Sequence, residues 1–162
     1  MDAEGLGKAL TDGVCEGVER WLKQGGAASA CLFVDGTTAL MWAIISGSKV
    51  QGANVAAIKL LLERGADVKA RNRQGMSALL HAVQDRHELA VGMLLEAGAD
   101  VNQKNDRLCT PLIMLSADLL PNNPAMLWQA DPAADARIAA LLLARGPLLD
   151  DVDDEGATAL LL

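Results

Sequence analysis

The sequence predicts an all-α solenoid of stacked helix–turn–helix units joined by hairpin-like fingers. Three observations support this prediction: a helix-ending phrase recurs, a helix-opening phrase recurs, and the spacing between them is nearly constant. The composition agrees, because 51% of the 162 residues are hydrophobic but only 2% are aromatic. A core of Ala, Leu and Val suits closely packed helices better than a β-sandwich, which favours aromatic and β-branched residues.

The helix-ending phrase is clearest in two copies, Leu-Leu-Glu-Arg-Gly-Ala-Asp-Val at 61–68 and Leu-Leu-Glu-Ala-Gly-Ala-Asp-Val at 94–101. Weaker copies lie at 21–26 and 142–147. In each clear copy a glycine follows a run of helix-forming residues. Glycine adopts the left-handed conformation that commonly ends a helix. We therefore expect helices to end just before these glycines.

The helix-opening phrase is a hydroxyl residue, then Ala or Pro, then Leu, and it begins at Thr38, Ser77, Thr110 and Thr158. From each helix-ending glycine to the next hydroxyl the gap is 12 residues in three cases and 13 in the first. The hydroxyl is suited to cap a helix, and a proline at the first helical position, as at Pro111, loses no hydrogen bond. Turn-forming residues at 72–75 and 153–156 predict tight hairpins between one helix end and the next helix start.

The repeating unit spans 33 residues from Ser77 to Thr110. This period, with its Thr-Pro-Leu opening and Gly-Ala-Asp-Val ending, resembles the ankyrin repeat. The resemblance implies one domain at 1–162, with a capping helix pair at 1–34, repeats at about 35–71, 72–104 and 105–152, and a partial repeat at 153–162. Ankyrin repeats usually carry a histidine after the opening leucine. The matching positions here are all apolar: Met41, Leu80, Ile113 and Leu161.

Two repeats are longer than this period, with 39 residues from Thr38 to Ser77 and 48 from Thr110 to Thr158. The extra residues are expected between the two helices of each repeat, at about 48–53 and 117–135. Prolines at 121, 124 and 132 exclude one continuous helix through the second insertion. Trp128 in this insertion either packs back onto the neighbouring helices as a lid or anchors a partner.

The charge balance limits the classes of partner. The formal net charge is -7 and the pI is about 4.7, so attraction to nucleic acid or to an anionic membrane is not expected. A protein with a basic surface would instead be attracted. Three scattered cysteines and an acidic N-terminus without an apolar leader indicate a cytoplasmic protein. Apolar stretches fall far short of the roughly 20 residues that a membrane span needs.

No catalytic constellation is evident. His81 and His87 are six residues apart and do not share a face of one helix. A zinc site built from them and Cys109 would lack a fourth ligand. His81 is interpreted as a packed histidine of an inner helix. We therefore predict no enzyme activity, no cofactor and no metal.

The resemblance also implies where a partner binds: at the finger tips and on the exposed face of each first helix, along a concave surface. The positions that match are Asp35, Thr37, Ile45, Ser46, Arg73, Gln74, Met76, Gln84, Asp85, Asp106, Arg107, Cys109, Asp118, Asp154 and Glu155, with Trp128 added from the insertion. The set of Arg73, Gln74 and Met76 is preferred, since Arg and Met are frequent at interfaces.

The predicted function is therefore a non-catalytic protein–protein interaction module, either an adaptor or an inhibitor. A structural unit that self-associates through its unfinished C-terminal repeat is the main alternative. A toxin-immunity type of inhibitor that neutralises a basic protein is a weaker alternative, and an enzyme is the least favoured.

Overall fold

The computed structural model describes residues 15–47, 54–117 and 132–159. In this part of the chain there are seven helices, and the only β-structure is a set of isolated bridges. The helices are α1 (Cys15–Lys23), α2 (Ala39–Gly47), α3 (Val55–Glu63), α4 (Ala78–Gln84), α5 (Glu88–Glu96), α6 (Pro111–Ala117) and α7 (Pro132–Leu143). None of them is long and apolar enough to cross a membrane.

The helices pack in two rows. The inner row is α2, α4 and α6, and the outer row is α1, α3, α5 and α7; in each row a helix packs on the next. Each inner helix also packs on the outer helix that follows it in the chain. The two helices of a pair therefore bury apolar residues against each other and also against the neighbouring pairs. This arrangement confirms the predicted all-α repeat solenoid.

The helix ends follow the two recurring phrases. The side-chain oxygens of Thr38, Ser77 and Thr110 each accept a hydrogen bond at 3.3 Å from the backbone N–H three residues later. These are N-caps of the expected kind. Gly65 and Gly98 have φ values of 78° and 87°, in the left-handed region that ends a helix without strain in glycine. The predicted starts and ends of these helices are confirmed.

The core runs continuously through both rows and consists mostly of Ala, Leu, Ile and Val. Buried apolar residues also occupy the described positions that match the histidine of the resembled repeat. Met41, Leu80 and Ile113 are fully or almost fully buried there. The fourth such position, Leu161, lies outside the described residues. Apolar packing therefore occupies the place of a polar tie between repeats.

The start of α7 corrects the extent of the second insertion. Residues 132–135 were expected to belong to it, but α7 begins at Pro132. Proline is well suited to the first position of a helix because its missing N–H would have no partner there. The rest of this insertion, including Asp118 and Trp128, lies outside the described residues, as do the insertion at 48–53 and residues 1–14.

Candidate protein-binding site

The described part of the chain contains four fingers, at 31–38, 71–77, 104–110 and 152–158, and each of the first three leads from an outer helix to the next inner helix. Three are closed by antiparallel bridges, which join Cys31 to Thr38, Arg71 to Ser77 and Val152 to Thr158. The third finger is closed by a hydrogen bond of 3.2 Å from Asn105 N–H to the carbonyl of Cys109. The turn sequences therefore form the expected hairpin-like fingers.

One side chain shapes each of the last three fingers. Asn72 Oδ1 accepts hydrogen bonds from the backbone N–H groups of Gln74 and Met76, both at 3.0 Å. Asn105 and Asp153 make the same pair of bonds two and four residues ahead, at 2.9–3.0 Å. Asn and Asp are common in turns because their oxygens can replace a backbone acceptor. Each of these tips is thus held by the second residue of its own finger.

The finger tips are joined to one another by backbone hydrogen bonds. In each bond the N–H of one tip donates to a carbonyl of the preceding tip. The bonds run from Arg73 to Asp35 at 2.8 Å, from Asp106 to Gln74 at 3.2 Å and from Asp154 to Arg107 at 3.1 Å. The four tips consequently form a continuous row, with side chains exposed along it.

Charged side chains also connect adjacent fingers. Arg71 lies 3.8 Å from Asp106, and Arg107 lies 3.6 Å from Asp154 and 3.8 Å from Glu155. All of these groups are largely exposed, so each pair adds little stability. Arg73 is also exposed, but among residues 15–47, 54–117 and 132–159 its guanidinium takes part in no salt bridge.

A cleft of about 510 Å³, which we call the finger cleft, lies between the second and third fingers and the inner helices α4 and α6. It brings together seven of the predicted partner-binding residues: Arg73, Gln74, Met76, Gln84, Asp106, Arg107 and Cys109. Three further residues that were not among the predicted contacts also line it: His81, Asn105 and Met114. Spacing in the sequence alone did not indicate them, since their shared position arises from stacking of the repeats.

The finger cleft has an apolar part and a polar rim. Met76 is only 7% exposed and Met114 is half-buried, and the amide of Asn105 donates to the Met76 sulfur at 3.7 Å. Methionine is flexible and polarisable, so it adapts to apolar side chains of different shapes. The exposed Arg73, Gln74 and Arg107 supply hydrogen-bond donors around this apolar part.

Burial controls the ionisation of two groups in the finger cleft. Desolvation lowers the pKa of His81, and the nearby charge of Asp35 opposes this only in part, so the ring is neutral at pH 7. Its Nε2 atom is buried and has no hydrogen-bond partner among the described residues. Burial raises the pKa of the Cys109 thiol, and the carboxylate of Asp153 acts in the same direction. Cys109 is therefore not activated as a nucleophile.

The first finger holds two predicted residues in different roles. Asp35 is exposed, whereas Thr37 is only 4% exposed. The backbone N–H and hydroxyl of Thr37 both donate to the Asp35 carboxylate at 2.9 Å. The backbone hydrogen bond is the main reason why the pKa of Asp35 is lowered, and the Arg73 charge adds a smaller effect. Thr37 thus orients Asp35, which is the residue that faces solvent.

The other predicted residues that the structure describes do not line the finger cleft. Ile45 and Ser46 are half-buried near the end of α2, and the Ser46 hydroxyl donates to the Trp42 carbonyl at 2.6 Å. Asp154 and Glu155 are exposed on the fourth finger. Asp118 and Trp128 lie in the part of the chain that the structure does not describe.

Asp85 is the predicted residue with the most unusual environment. It follows the last residue of α4 and is half-buried. Burial raises the pKa of its carboxyl from 3.8 to about 6. No group of three or more metal-ligating side chains is found with it, or anywhere else among the described residues.

The two rows of helices and the linked fingers define a helical repeat protein. A family model described as ankyrin repeats in three copies matches residues 6–105, which is more than half of the chain. The chain therefore belongs to the ankyrin-repeat family, whose members are generally protein–protein interaction modules. Helices α6 and α7 lie beyond the matched residues and continue the same two rows. A comparison with curated proteins finds no match.

Proposed function

We propose that this protein is a non-catalytic adaptor or inhibitor that binds another protein through the finger cleft and the exposed finger tips beside it. The observation that carries this proposal is the cleft of about 510 Å³, which unites residues from two fingers and two inner helices. Stable interfaces combine a desolvated apolar centre with a polar rim. Met76 and Met114 supply the centre, and Arg73, Gln74 and Arg107 supply the rim.

The row of joined finger tips supports the same proposal. Backbone hydrogen bonds between tips hold their side chains in place before a partner arrives. A surface that is already ordered loses less conformational entropy on binding than a flexible one. The partner is expected to carry a basic surface, since the net charge of -7 attracts cations over long range.

Reversal of one charge at the cleft tests this proposal. The variant Arg73→Glu changes an exposed finger-tip residue, and Arg64→Glu makes the same change at the exposed end of outer helix α3. Each variant is immobilised and incubated with extract of the source cells, and captured proteins are compared by mass spectrometry. We expect a protein retained by the wild type and by Arg64→Glu to be lost with Arg73→Glu. Equal retention by both variants would contradict binding at the finger cleft.

Self-association is a second candidate function, favoured by exposed apolar residues in and after α7. Leu143 is 50% exposed, Leu148 59%, Leu149 40% and Val152 42%. Neighbouring exposed apolar side chains mark association surfaces. If they join copies of the chain, light scattering will show a mass that rises with concentration, and Leu148→Glu will abolish the rise. A constant monomer mass would eliminate this candidate.

A further inference from the structure

We propose that the partner segment bound in the finger cleft carries an apolar side chain and, close to it, a Lys or Arg that pairs with Asp85. This inference rests on the proposed function, because it specifies the chemistry of the segment that occupies the same surface. It follows from the position of Asp85 at the C-terminal end of helix α4, from the charges of the elements around it, and from its closeness to the cleft.

Asp85 is an anionic side chain in a place that disfavours an anion. It is half-buried, and no hydrogen bond or ion pair to its carboxylate is found among the described residues. Its backbone N–H donates to the His81 carbonyl at 2.9 Å, at the C-terminal end of α4. The free carbonyls at a helix C-terminus carry partial negative charge, which favours cations and disfavours carboxylates. A cation supplied by a bound partner would offset both the partial burial of the carboxylate and its repulsion by the helix C-terminus.

In the described part of the chain, the elements that pack on α4 supply no such cation. Neither α2 nor α6 contains an ionisable residue. On the side of α5, the neighbouring charged and titratable groups are Arg86, His87 and Glu88. Arg86 is bonded to Asp135 at 2.8 Å, and Glu88 to Arg137 at 2.6 Å. Desolvation lowers the pKa of His87, so this ring is neutral at pH 7.

The finger cleft and Asp85 are close enough for one partner segment to reach both. Gln84 and His81 line the cleft, and Asp85 follows Gln84 and lies one helical turn from His81, on the same side of α4. One short partner segment can therefore carry both an apolar residue for the cleft and a basic residue for Asp85. An apolar contact at Met76 and Met114 and a charge contact at Asp85 together describe one short segment.

A library of short random peptides, displayed on phage and selected against the full chain, tests this inference. Selected peptides are synthesised and their affinities measured for the wild type, Asp85→Asn and Glu96→Gln. Glu96 is the matched control, because it is an exposed acid at the end of the outer helix α5. We expect the peptides to share an apolar residue and a nearby Lys or Arg. Affinity should fall about fivefold with Asp85→Asn and stay unchanged with Glu96→Gln.

Two other outcomes would overturn the inference in distinguishable ways. In the first, the peptides lose affinity for Met114→Glu, but they contain no basic residue or bind Asp85→Asn as tightly as the wild type. This result would refute pairing at Asp85 and leave the finger cleft as the binding site. Peptides that tolerate both Met114→Glu and Arg73→Glu would refute the inference together with the proposed function.

Discussion

The second and third fingers have the same backbone course but different residues at the same strained position. In the second finger Gly75 has φ 70°, and in the third finger Leu108 has φ 58°. A leucine in the left-handed region is unfavourable by about 1–2 kcal/mol, whereas glycine is tolerant of it. Both fingers carry the same Asn bonds to the backbone and the same bond to the preceding tip. These shared hydrogen bonds therefore hold the backbone in the left-handed conformation even at Leu108, where the side chain makes it unfavourable.

The repeats that contain these fingers also differ in how their outer helices are held. The longer repeat ties α7 to the preceding repeat by the pairs Arg86–Asp135 and Glu88–Arg137. Among the described residues, no ion pair joins α3 to α5 in the regular repeat. A longer connection costs more entropy to close. The charge pairs offset that cost at the point where the insertion enters α7.

The largest expected effect comes from removal of the buried partner of Arg86. The side chains of Arg86 and Asp135 are only 9% and 6% exposed, so Asp135→Ala removes the carboxylate that pairs with a buried charge. We expect unfolding free energy to fall by about 3 kcal/mol, measured by urea titration. Glu88→Ala breaks the more exposed pair and should cost less than about 1 kcal/mol. Equal losses for the two variants would contradict a special role for the buried pair.

The next effect separates steric crowding from backbone strain at two finger glycines. A Cβ on Gly75 would lie 2.5 Å from Asp106 Oδ1 and 2.7 Å from its backbone nitrogen, whereas nothing lies within 4 Å of one on Gly156. Both have positive φ, at 70° and 82°. We expect Gly75→Ala to destabilise by more than about 2 kcal/mol and Gly156→Ala by about 1 kcal/mol. Equal changes in thermal unfolding would mean that crowding is absent.

Leu108 offers a stabilising change. Asn tolerates the left-handed region better than leucine does, and Leu108 is 47% exposed, so little packing is lost. Leu108→Asn should raise the unfolding free energy by about 0.5–1 kcal/mol. A loss of stability in urea titration would show that contacts of the leucine side chain outweigh its backbone strain.

The smallest effect concerns Asp85 and depends on pH. The folded-state pKa of about 6 lies above the ordinary value of 3.8, so the folded state holds this proton more tightly. Stability contributed by Asp85 is therefore present at low pH and is lost as pH rises from about 4 to about 6. Asp85→Asn should raise the unfolding free energy near neutral pH by less than about 1 kcal/mol, because the group is partly solvated, and should leave it unchanged near pH 4. The change is read from Tm at the two pH values. His87 titrates in both proteins, so it cancels in the comparison. A Tm gain of the same size at both pH values would refute the pKa assignment.

The sequence predicted the features that depend on local chemistry. Gly65, Gly98 and the hydroxyl caps determine the backbone only within a few residues of themselves. Their residue types were therefore sufficient to predict where the helices begin and end. The conformation of Leu108 was not predictable from its type, because tertiary and turn hydrogen bonds impose it. The buried partner of Arg86 was also missed, since Asp135 lies 49 residues away and was assigned to the insertion.

The candidate site shows the same division. Finger-tip residues such as Arg73 and Gln74 were predicted from the repeat, and the structure places them at the finger cleft. His81 and Met114 were not predicted contacts because they belong to inner helices of different repeats. Their common position depends on how α4 and α6 stack, which a single repeat does not encode.

Site-specific photocross-linking tests the central claim, that a partner protein occupies the finger cleft, most directly. A benzoylphenylalanine is placed at Gln84, which lines the cleft, or at Leu89, which is 61% exposed on the outer helix α5. Each full-length chain is irradiated in the source cells, and its adducts are resolved by mass. We predict one discrete protein adduct from position 84 and none from position 89. An adduct at position 89 with none at position 84 would contradict the claim.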